Sequence, residues 1–200
     1  MRTATVEPAV PVQHVVSGQR LVLTPREPAV TLSRVQSAVG TLVIEAAVSG
    51  SVGDVRLGCA YELSSGLSST LQPATGARFA PANSKRPVLI AGHERYDRLS
   101  IDLRQCNELR RFVVYVFSEG RGHITWGGTL IISTFAGAKI EIPLESMPAS
   151  ETAVALSGYN AAGRFVLRAE LESITGSIRE ASRAYGYDRI AWVDDRTPVE

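Results

Sequence analysis

The sequence of 200 residues is poor in the residues that build metal centres and disulfide frameworks, with two cysteines and three histidines. Two cysteines allow at most one disulfide. The sequence has no Cys-x-x-Cys pair and no Cys/His ligand cluster, so we expect no structural zinc site. Lysine is also scarce, since Lys85 and Lys139 are the only two among 21 basic residues. The formal net charge of +1 lacks the basic excess of a dedicated nucleic-acid binder.

Long hydrophobic runs are missing as well. No apolar stretch approaches the roughly 18–20 residues of a membrane-spanning helix, because Arg, Glu or Gly interrupts each candidate. Residues 1–13 lack a basic stretch followed by an apolar core, so we expect no secretory signal and a cytoplasmic location. The composition is that of a globular protein, with 44% hydrophobic and 20% charged residues, which excludes an intrinsically disordered chain.

The length and the pattern of the chain favour one domain. We predict an N-terminal tail over residues 1–13, a β-sandwich domain over residues 14–193 and a C-terminal tail over residues 194–200. Many short apolar segments alternate with Gly, Pro, Ser and Asn. In residues 54–63 the alternation has a period of two and places Val55, Leu57 and Cys59 on one face, which predicts a strand with one buried face.

Other segments complete the predicted architecture. Residues 112–117 are apolar throughout and predict a strand buried on both faces. Two pairs of strands flank short turns and predict hairpins, one over residues 129–144 and one over residues 152–171. Residues 67–85 predict a long loop with a little edge structure. Helical spacing predicts one short helix over residues 173–185, capped by Ser173. The predicted fold class is therefore an all-β, two-sheet antiparallel β-sandwich with one short helix near the C-terminus.

Sequence motifs of catalysis are absent. The chain has no GxSxG elbow, P-loop, HExxH or EF-hand loop, and no nucleophile, base and orienter at a recognisable spacing, so we expect no enzyme. The densest group of polar side chains, His93, Glu94 and Asp97, is either a metal site or a solvated loop, and its spacing favours the loop. Arg104, Arg110 and Arg111 form a small basic patch, which predicts a solvated basic turn.

One segment resembles a known family. Asp-Val-Arg-Leu-Gly-Cys-Ala-Tyr-Glu-Leu, at residues 54–63, resembles a motif of the bacterial tellurium-resistance and stress proteins, the TerD-domain family, and is most similar to the TerA branch. Ser-Gly-Gln-Arg-Leu at 17–21, Phe-Val-Val-Tyr-Val-Phe-Ser-Glu-Gly at 112–120 and Ile-Glu-Ile-Pro-Leu at 140–144 resemble further strands of the family in the same order. Ala-Tyr-Gly-Tyr at 184–187 resembles the end of its closing helix. The resemblance covers residues 15–193.

The resemblance implies a two-sheet β-sandwich with a non-enzymatic binding or scaffold role in a stress response of the tellurium-resistance type. Its implied partners are other family members or a stress-response complex, including one associated with a membrane, but no nucleic acid. It also implies calcium binding by acidic loops at one end of the sandwich, and Ca²⁺ takes about 6–8 oxygen ligands. Asp54, Glu94 and Asp97 stand at or near the matching acidic positions, whereas Arg56 replaces the second aspartate of the motif.

Two hypotheses follow for this end of the molecule. In the first, the calcium site is degenerate, and the Arg56 guanidinium replaces the metal as an internal cation that bridges Asp54 and Glu94. In the second, the domain is a functional Ca²⁺ sensor whose remaining ligands are backbone carbonyls in residues 67–85 or 91–97. The predicted cofactor is accordingly none, or Ca²⁺ at a residual site formed by Asp54, Glu94 and Asp97.

Overall fold

Two β-sheets packed face to face form the described structure, a computed structural model that covers residues 13–199. One sheet has seven strands in the spatial order β1 (Arg20–Val22), β11 (Lys139–Pro143), β10 (Thr129–Ser133), β3 (Thr41–Ala47), β8 (Asp97–Asp102), β7 (Leu89–His93) and β6 (Phe79–Ala80). The other has six, in the order β2 (Ala29–Thr31), β13 (Arg164–Ile174), β12 (Thr152–Ala161), β9 (Leu109–Ser118), β4 (Val55–Leu63) and β5 (Ser68–Leu71). The α-helix of this part of the chain, α1 (Ile178–Ala184), follows the last strand. The predicted fold class is confirmed.

Neighbouring strands in both sheets pair in antiparallel fashion, with the exception of β1 and β11, which run parallel. Short 3-10 helices link several strands, at Gly50–Val52, Pro73–Thr75, Leu103–Glu108 and Leu144–Ser146. Across residues 13–199, no helix is both long enough and apolar enough to span a membrane.

The main core lies between the two sheets and is built by alternation along the strands. In β3, Leu42, Ile44 and Ala46 are buried while the residues between them are partly exposed, as a period of two requires. Neighbouring strands continue this apolar layer, because Ile44 pairs with Ile132 of β10 and with Leu99 of β8. Burying each such side chain stabilises the fold by about 1.5–3 kcal/mol. The seven-stranded sheet therefore has one buried face.

The central strands of the six-stranded sheet are buried on both faces. The unbroken apolar run of β9 predicted this correctly, since residues 112–118 are all buried. For β4 the prediction of a single buried face was wrong. Ala60 and Glu62 belong to the face that was expected to meet solvent, yet both are buried. The cause is a third layer of chain, which covers the outer face of this sheet.

Residues 177–199 form this third layer, which we call the C-terminal layer. Ile178 and Ala181 of α1, together with Tyr187 and Ile190, pack in a second, smaller core against outer-face residues such as Tyr115. The layer thus extends the apolar interior beyond the two sheets. Residues 194–199, which were predicted to belong to a C-terminal tail, are part of it.

Two arginines fix the C-terminal layer to the sheet by hydrogen bonds to backbone carbonyls. Arg111 of β9 donates from Nη1 to the Tyr185 carbonyl at 2.9 Å and from Nη2 to the Gly186 carbonyl at 2.6 Å. Arg196 of the layer donates to the Ser118 carbonyl at 3.0 Å. The prediction of a solvated basic turn was therefore wrong for Arg111, whose guanidinium joins two layers.

Local expectations were met in most places. Both predicted hairpins are confirmed as β10–β11 and β12–β13, and the long loop contains the two edge strands β5 and β6. The predicted helix start was wrong, because β13 extends to Ile174 and Ser177 is the N-cap. The predicted tail over residues 1–13 lies outside the described residues except for Gln13, whose carbonyl accepts a hydrogen bond from the Thr31 amide at 2.9 Å.

Candidate functional site

One end of the sandwich carries an open cleft of about 620 Å³. Two connections form its walls: the segment between β3 and β4, and the turn between β7 and β8. Ser49 and Gly53 line it from the first, and His93, Arg95 and Tyr96 from the second. Its volume lies in the range of about 300–1,000 Å³ that is usual for small-ligand sites.

Local sequence explains both walls. The first is a single 3-10 turn at Gly50–Val52, where the Ser49 hydroxyl accepts a hydrogen bond from the Ser51 amide at 3.4 Å. Gly53 then leaves the turn with φ +109°, a backbone region that favours glycine. The second wall is the tight turn of the β7–β8 hairpin, in which His93 and Asp97 pair directly across the two strands.

Asp97 is the buried anchor of the site, with only 3% of its side chain exposed. Its Oδ2 accepts a hydrogen bond from the Leu57 amide at 2.9 Å. Because Leu57 belongs to β4 and Asp97 to β8, this bond joins the two sheets. Its Oδ1 lies 2.6 Å from Nδ1 of His93, whose ring is half-exposed at the cleft. Both carboxylate oxygens are therefore engaged by the protein.

Arg56 lies beside this pair and connects it to a second carboxylate. Its Nε and Nη2 donate to Oε2 of Glu119 at 2.8 and 2.6 Å. Its Nη1 lies 3.8 Å from Oδ1 of Asp97 and 3.5 Å from Nδ1 of His93. The hydrogen bond to Glu119 raises the pKa of Arg56 above its usual value, and the charges of Asp97 and Asp54 act in the same direction. We call Arg56, His93, Asp97 and Glu119 the Arg56 cluster.

The three predicted metal ligands do not meet at one point. Asp97 is in the Arg56 cluster, and Asp54 is near enough for its charge to act on the guanidinium. Glu94 lies apart, with 78% of its side chain exposed and an ion pair of 3.8 Å to Arg98. The guanidinium of Arg56 is held between carboxylates as expected, but its ion pairs run to Glu119 and Asp97 and not to Asp54 and Glu94.

The donor set fits Ca²⁺ poorly. Within residues 13–199, no group of three or more His, Cys, Asp or Glu side chains is arranged to hold a metal ion. Ca²⁺ needs about 6–8 oxygen atoms, several of them from carboxylates. Asp97 already uses both oxygens within the protein, and Arg56 supplies the positive charge that a bound metal would bring.

Sequence reasoning missed Glu119. It is separated from Arg56 by 63 residues, and the strand pairing of β4 with β9 brings the two together. Arg56 lies opposite Phe117 in that antiparallel pairing, so Glu119, two residues further on, is its diagonal neighbour on the same face. The sequence did contain a signal, because Glu119-Gly120 marks a turn directly after the most apolar strand of the chain.

Neither a model of a known protein family nor a curated protein sequence matches this chain. The resemblance to the TerD-domain family therefore stays a prediction that depends on the order and spacing of short motifs.

Proposed function

We propose that this chain is a TerA/TerD-like binding or scaffold module of a stress response of the tellurium-resistance type, with a degenerate calcium site and no enzymatic activity. The motifs at residues 54–63 and 112–120 support the family, and a two-sheet sandwich is the fold that the family implies. The proposal includes a cytoplasmic location. Its partners are other family members or a stress-response complex, including a membrane-associated one, that dock at the cleft end.

The position of Arg56 is the observation that carries the proposal. In the motif that residues 54–63 resemble, this position holds an aspartate. Here the guanidinium lies between Glu119 and Asp97, next to the cleft. A guanidinium remains charged throughout the physiological pH range and forms strong hydrogen bonds with carboxylates. It therefore balances the negative charge of this end permanently, in place of an exchangeable metal.

The arrangement of His93 supports a role in binding over a role in catalysis. A His–Asp pair orients a general base in many hydrolases, and such a base must also contact a nucleophile. Among the described residues, Nδ1 of His93 donates to Asp97 at 2.6 Å, and Nη1 of Arg56 lies 3.5 Å from the same nitrogen. No serine or cysteine side chain of this part of the chain forms a hydrogen bond to His93.

A functional Ca²⁺ sensor is the alternative, and one observation favours it. The charges of Glu119, Asp97 and Asp54 all act on the Arg56 guanidinium, so three carboxylates surround one cation. If Arg56 turned away from the cluster, these groups and the carbonyls of the cleft walls would have to provide the ligands. The alternative therefore requires Ca²⁺ to displace a guanidinium that has two short hydrogen bonds to Glu119.

Thermal unfolding in excess Ca²⁺ and in excess chelator separates the two proposals. We expect the same midpoint in both for the wild-type chain. In excess chelator, the Arg56→Asp variant should unfold at a lower temperature than the wild type, because the new carboxylate repels the three that surround it. Excess Ca²⁺ should restore the unfolding midpoint of this variant. Ca²⁺ at about 100 times its dissociation constant adds roughly 2.7 kcal/mol, which is about 5–10 °C for a domain of this size.

Arg20→Asp is the matched control, because Arg20 forms its ion pair with Glu141 at 2.7 Å, outside the Arg56 cluster. It should behave like the wild type in both solutions. A rise in the wild-type midpoint with Ca²⁺ would contradict the degenerate site and support the sensor. An Arg56→Asp variant with equal midpoints in Ca²⁺ and chelator would show that Arg56 does not stand in for a metal.

A further inference from the structure

The end of the sandwich opposite the cleft carries an exposed apolar surface. Val16, Val35, Val39 and Phe135 are all exposed there, Val35 to 71% and Phe135 to 72%. We call these four residues the apolar end. They come from three separate segments: the approach to β1, the connection between β2 and β3, and the β10–β11 turn. Together they border a groove of about 500 Å³.

The groove has an uncharged lining. As far as the described chain forms its walls, ten residues line it, and all are Val, Ala, Phe, Ser, Thr or Gln. A charged peptide, a nucleic acid or a phosphate-bearing ligand would find no side chain of opposite charge in it. An exposed apolar groove of this kind matches a partner surface that is itself apolar and uncharged.

Phe135 packs against the backbone of Gly40 although its ring is exposed. A Cβ on Gly40 would fall 2.4 Å from both Cβ and Cγ of Phe135, so the side chain lies directly against the Gly40 backbone. The turn itself does not need an aromatic residue. Thr134 closes it by accepting hydrogen bonds from the Gly137 and Ala138 amides, and Gly137 supplies the positive φ of +78°. An exposed aromatic ring beside an apolar groove is typical of an interface anchor.

We propose that the apolar end joins two copies of this chain in a symmetric homodimer. The same surface contains a projecting ring and an apolar groove, so a two-fold axis places the ring of each copy at the groove of the other. The groove lining is uncharged in both copies, so the contact between the two grooves separates no ion pair. In a homodimer, each groove therefore contacts a partner surface that is also apolar and uncharged.

The size of the surface places the dimer among weak and transient assemblies. The four side chains of the apolar end expose on the order of 400 Å². A standard interface takes about 800 Å² from each partner, so the apolar contact supplies about half of that area. The dimer is therefore weak and reversible, and it dissociates on dilution within the range of about 1 μM to 1 mM.

The proposed contact leaves the cleft end free. β3 starts at the apolar end and finishes at the cleft, and its seven residues span about 23 Å at roughly 3.3 Å per residue. A dimer joined at the apolar ends therefore presents two clefts at its far extremities. This geometry lets one dimer hold two partner molecules, whatever ligand the cleft binds.

Sedimentation velocity of the full chain over that concentration range tests the proposal. We expect a monomer–dimer equilibrium for the wild type and at least a tenfold higher dissociation constant for Val35→Asp. Phe135→Asp provides a second variant from a different segment. Val193→Asp is the matched control, because Val193 is 70% exposed but lies in the C-terminal layer. It should dimerise like the wild type, and circular dichroism verifies that every variant is folded.

Three results would overturn the proposal. A wild-type chain that stays monomeric up to 1 mM would show that the apolar end does not self-associate. A dimer that survives both Val35→Asp and Phe135→Asp would have its interface elsewhere. Equal weakening by Val193→Asp would show that any added charge reduces association, without a specific contact at the apolar end.

Discussion

At the scale of single residues, Glu62 is a charged residue that the fold buries almost completely. It lies buried on the outer face of β4, opposite Arg111 of β9 and Ser68 of β5. Arg111 donates from Nε to one carboxylate oxygen at 2.7 Å, and Arg110 donates from Nη1 to the other at 2.6 Å. Burial alone would raise the pKa of Glu62, but the hydrogen bonds and charges of these two arginines outweigh burial and hold the pKa below its usual value.

The lowered pKa of Glu62 predicts acid-sensitive stability. The ionised form stabilises the fold at any pH above the unfolded pKa of about 4.3, and this stability is lost as the pH falls through the lower folded pKa. Glu62→Gln should cost about 1–3 kcal/mol at pH 7. It should also reduce the loss of stability between pH 5 and pH 2. Urea unfolding at several pH values measures both effects, with Glu94→Gln as an exposed control that should show neither.

A second residue-scale feature is the fit of Tyr115 over Gly58. The two residues lie opposite each other in the pairing of β4 with β9. A Cβ on Gly58 would fall 2.3 Å from Cε2 of the Tyr115 ring and 2.8 Å from its hydroxyl. The glycine therefore makes room for an aromatic side chain that fills the second core.

Gly58→Ala should destabilise the fold by about 1–3 kcal/mol, because Tyr115 is fully buried and has no space to move. Gly92→Ala is the matched control. Gly92 is also a strand glycine, but a Cβ there would have nothing within 4 Å. Chemical denaturation compares the two midpoints. Equal midpoints would show that the sheet and the C-terminal layer adjust to the extra methyl group at little cost.

At the scale of elements, the two cores differ in how well their polar groups are paired. Six buried side-chain atoms on the outer side of the six-stranded sheet or in the C-terminal layer form no well-aligned hydrogen bond within residues 13–199, although Thr70 and Gln72 lie close enough to the Tyr115 hydroxyl to act on its pKa. They belong to Gln72, Tyr115, Thr152, Ser182, Trp192 and Arg196. Each such atom costs about 1–3 kcal/mol. The C-terminal layer is therefore held less firmly than its apolar contacts alone would suggest.

This imbalance predicts that the C-terminal layer opens before the sandwich unfolds. Hydrogen exchange should be faster in α1 than in the paired amides of β3 and β10, because local units open with their own free energies. Ile178→Ala, which removes an apolar contact of the layer, should speed exchange in α1 and leave β3 unchanged. Ile44→Ala in the main core should speed exchange in both. Identical protection of α1 and β3 in the wild type would contradict two separate units.

At the scale of the whole molecule, the sequence predicted the sandwich from local patterns. The apolar run at residues 112–117 correctly predicted a strand with two buried faces. The Gly-containing turns correctly predicted both long hairpins. β2 was missed because its three residues are too few to show a period. The C-terminal layer was missed because Tyr187 and Ile190 lie in irregular chain, where burial follows from contacts distant in sequence.

The candidate site was predictable only in part for the same reason. Asp97 and Arg56 were identified from the motif and from the density of polar residues. The partner of Arg56 was not, because the contact with Glu119 depends on which strands are neighbours in the sheet. The Leu57 amide that binds Asp97 belongs to the opposite sheet, and no local pattern reports such a contact.

The third layer also has a consequence for how this protein is made. The strands that it covers, β4, β9 and β12, all precede residues 177–199 in the chain. On the ribosome, these strands are completed while the segment that shields Val113, Tyr115 and Phe117 has not yet been synthesised. A broad apolar face is therefore exposed to solvent during translation. At this stage nascent chains are most prone to aggregate and to bind chaperones. The face is covered only after residues 177–199 have been synthesised and have packed against it.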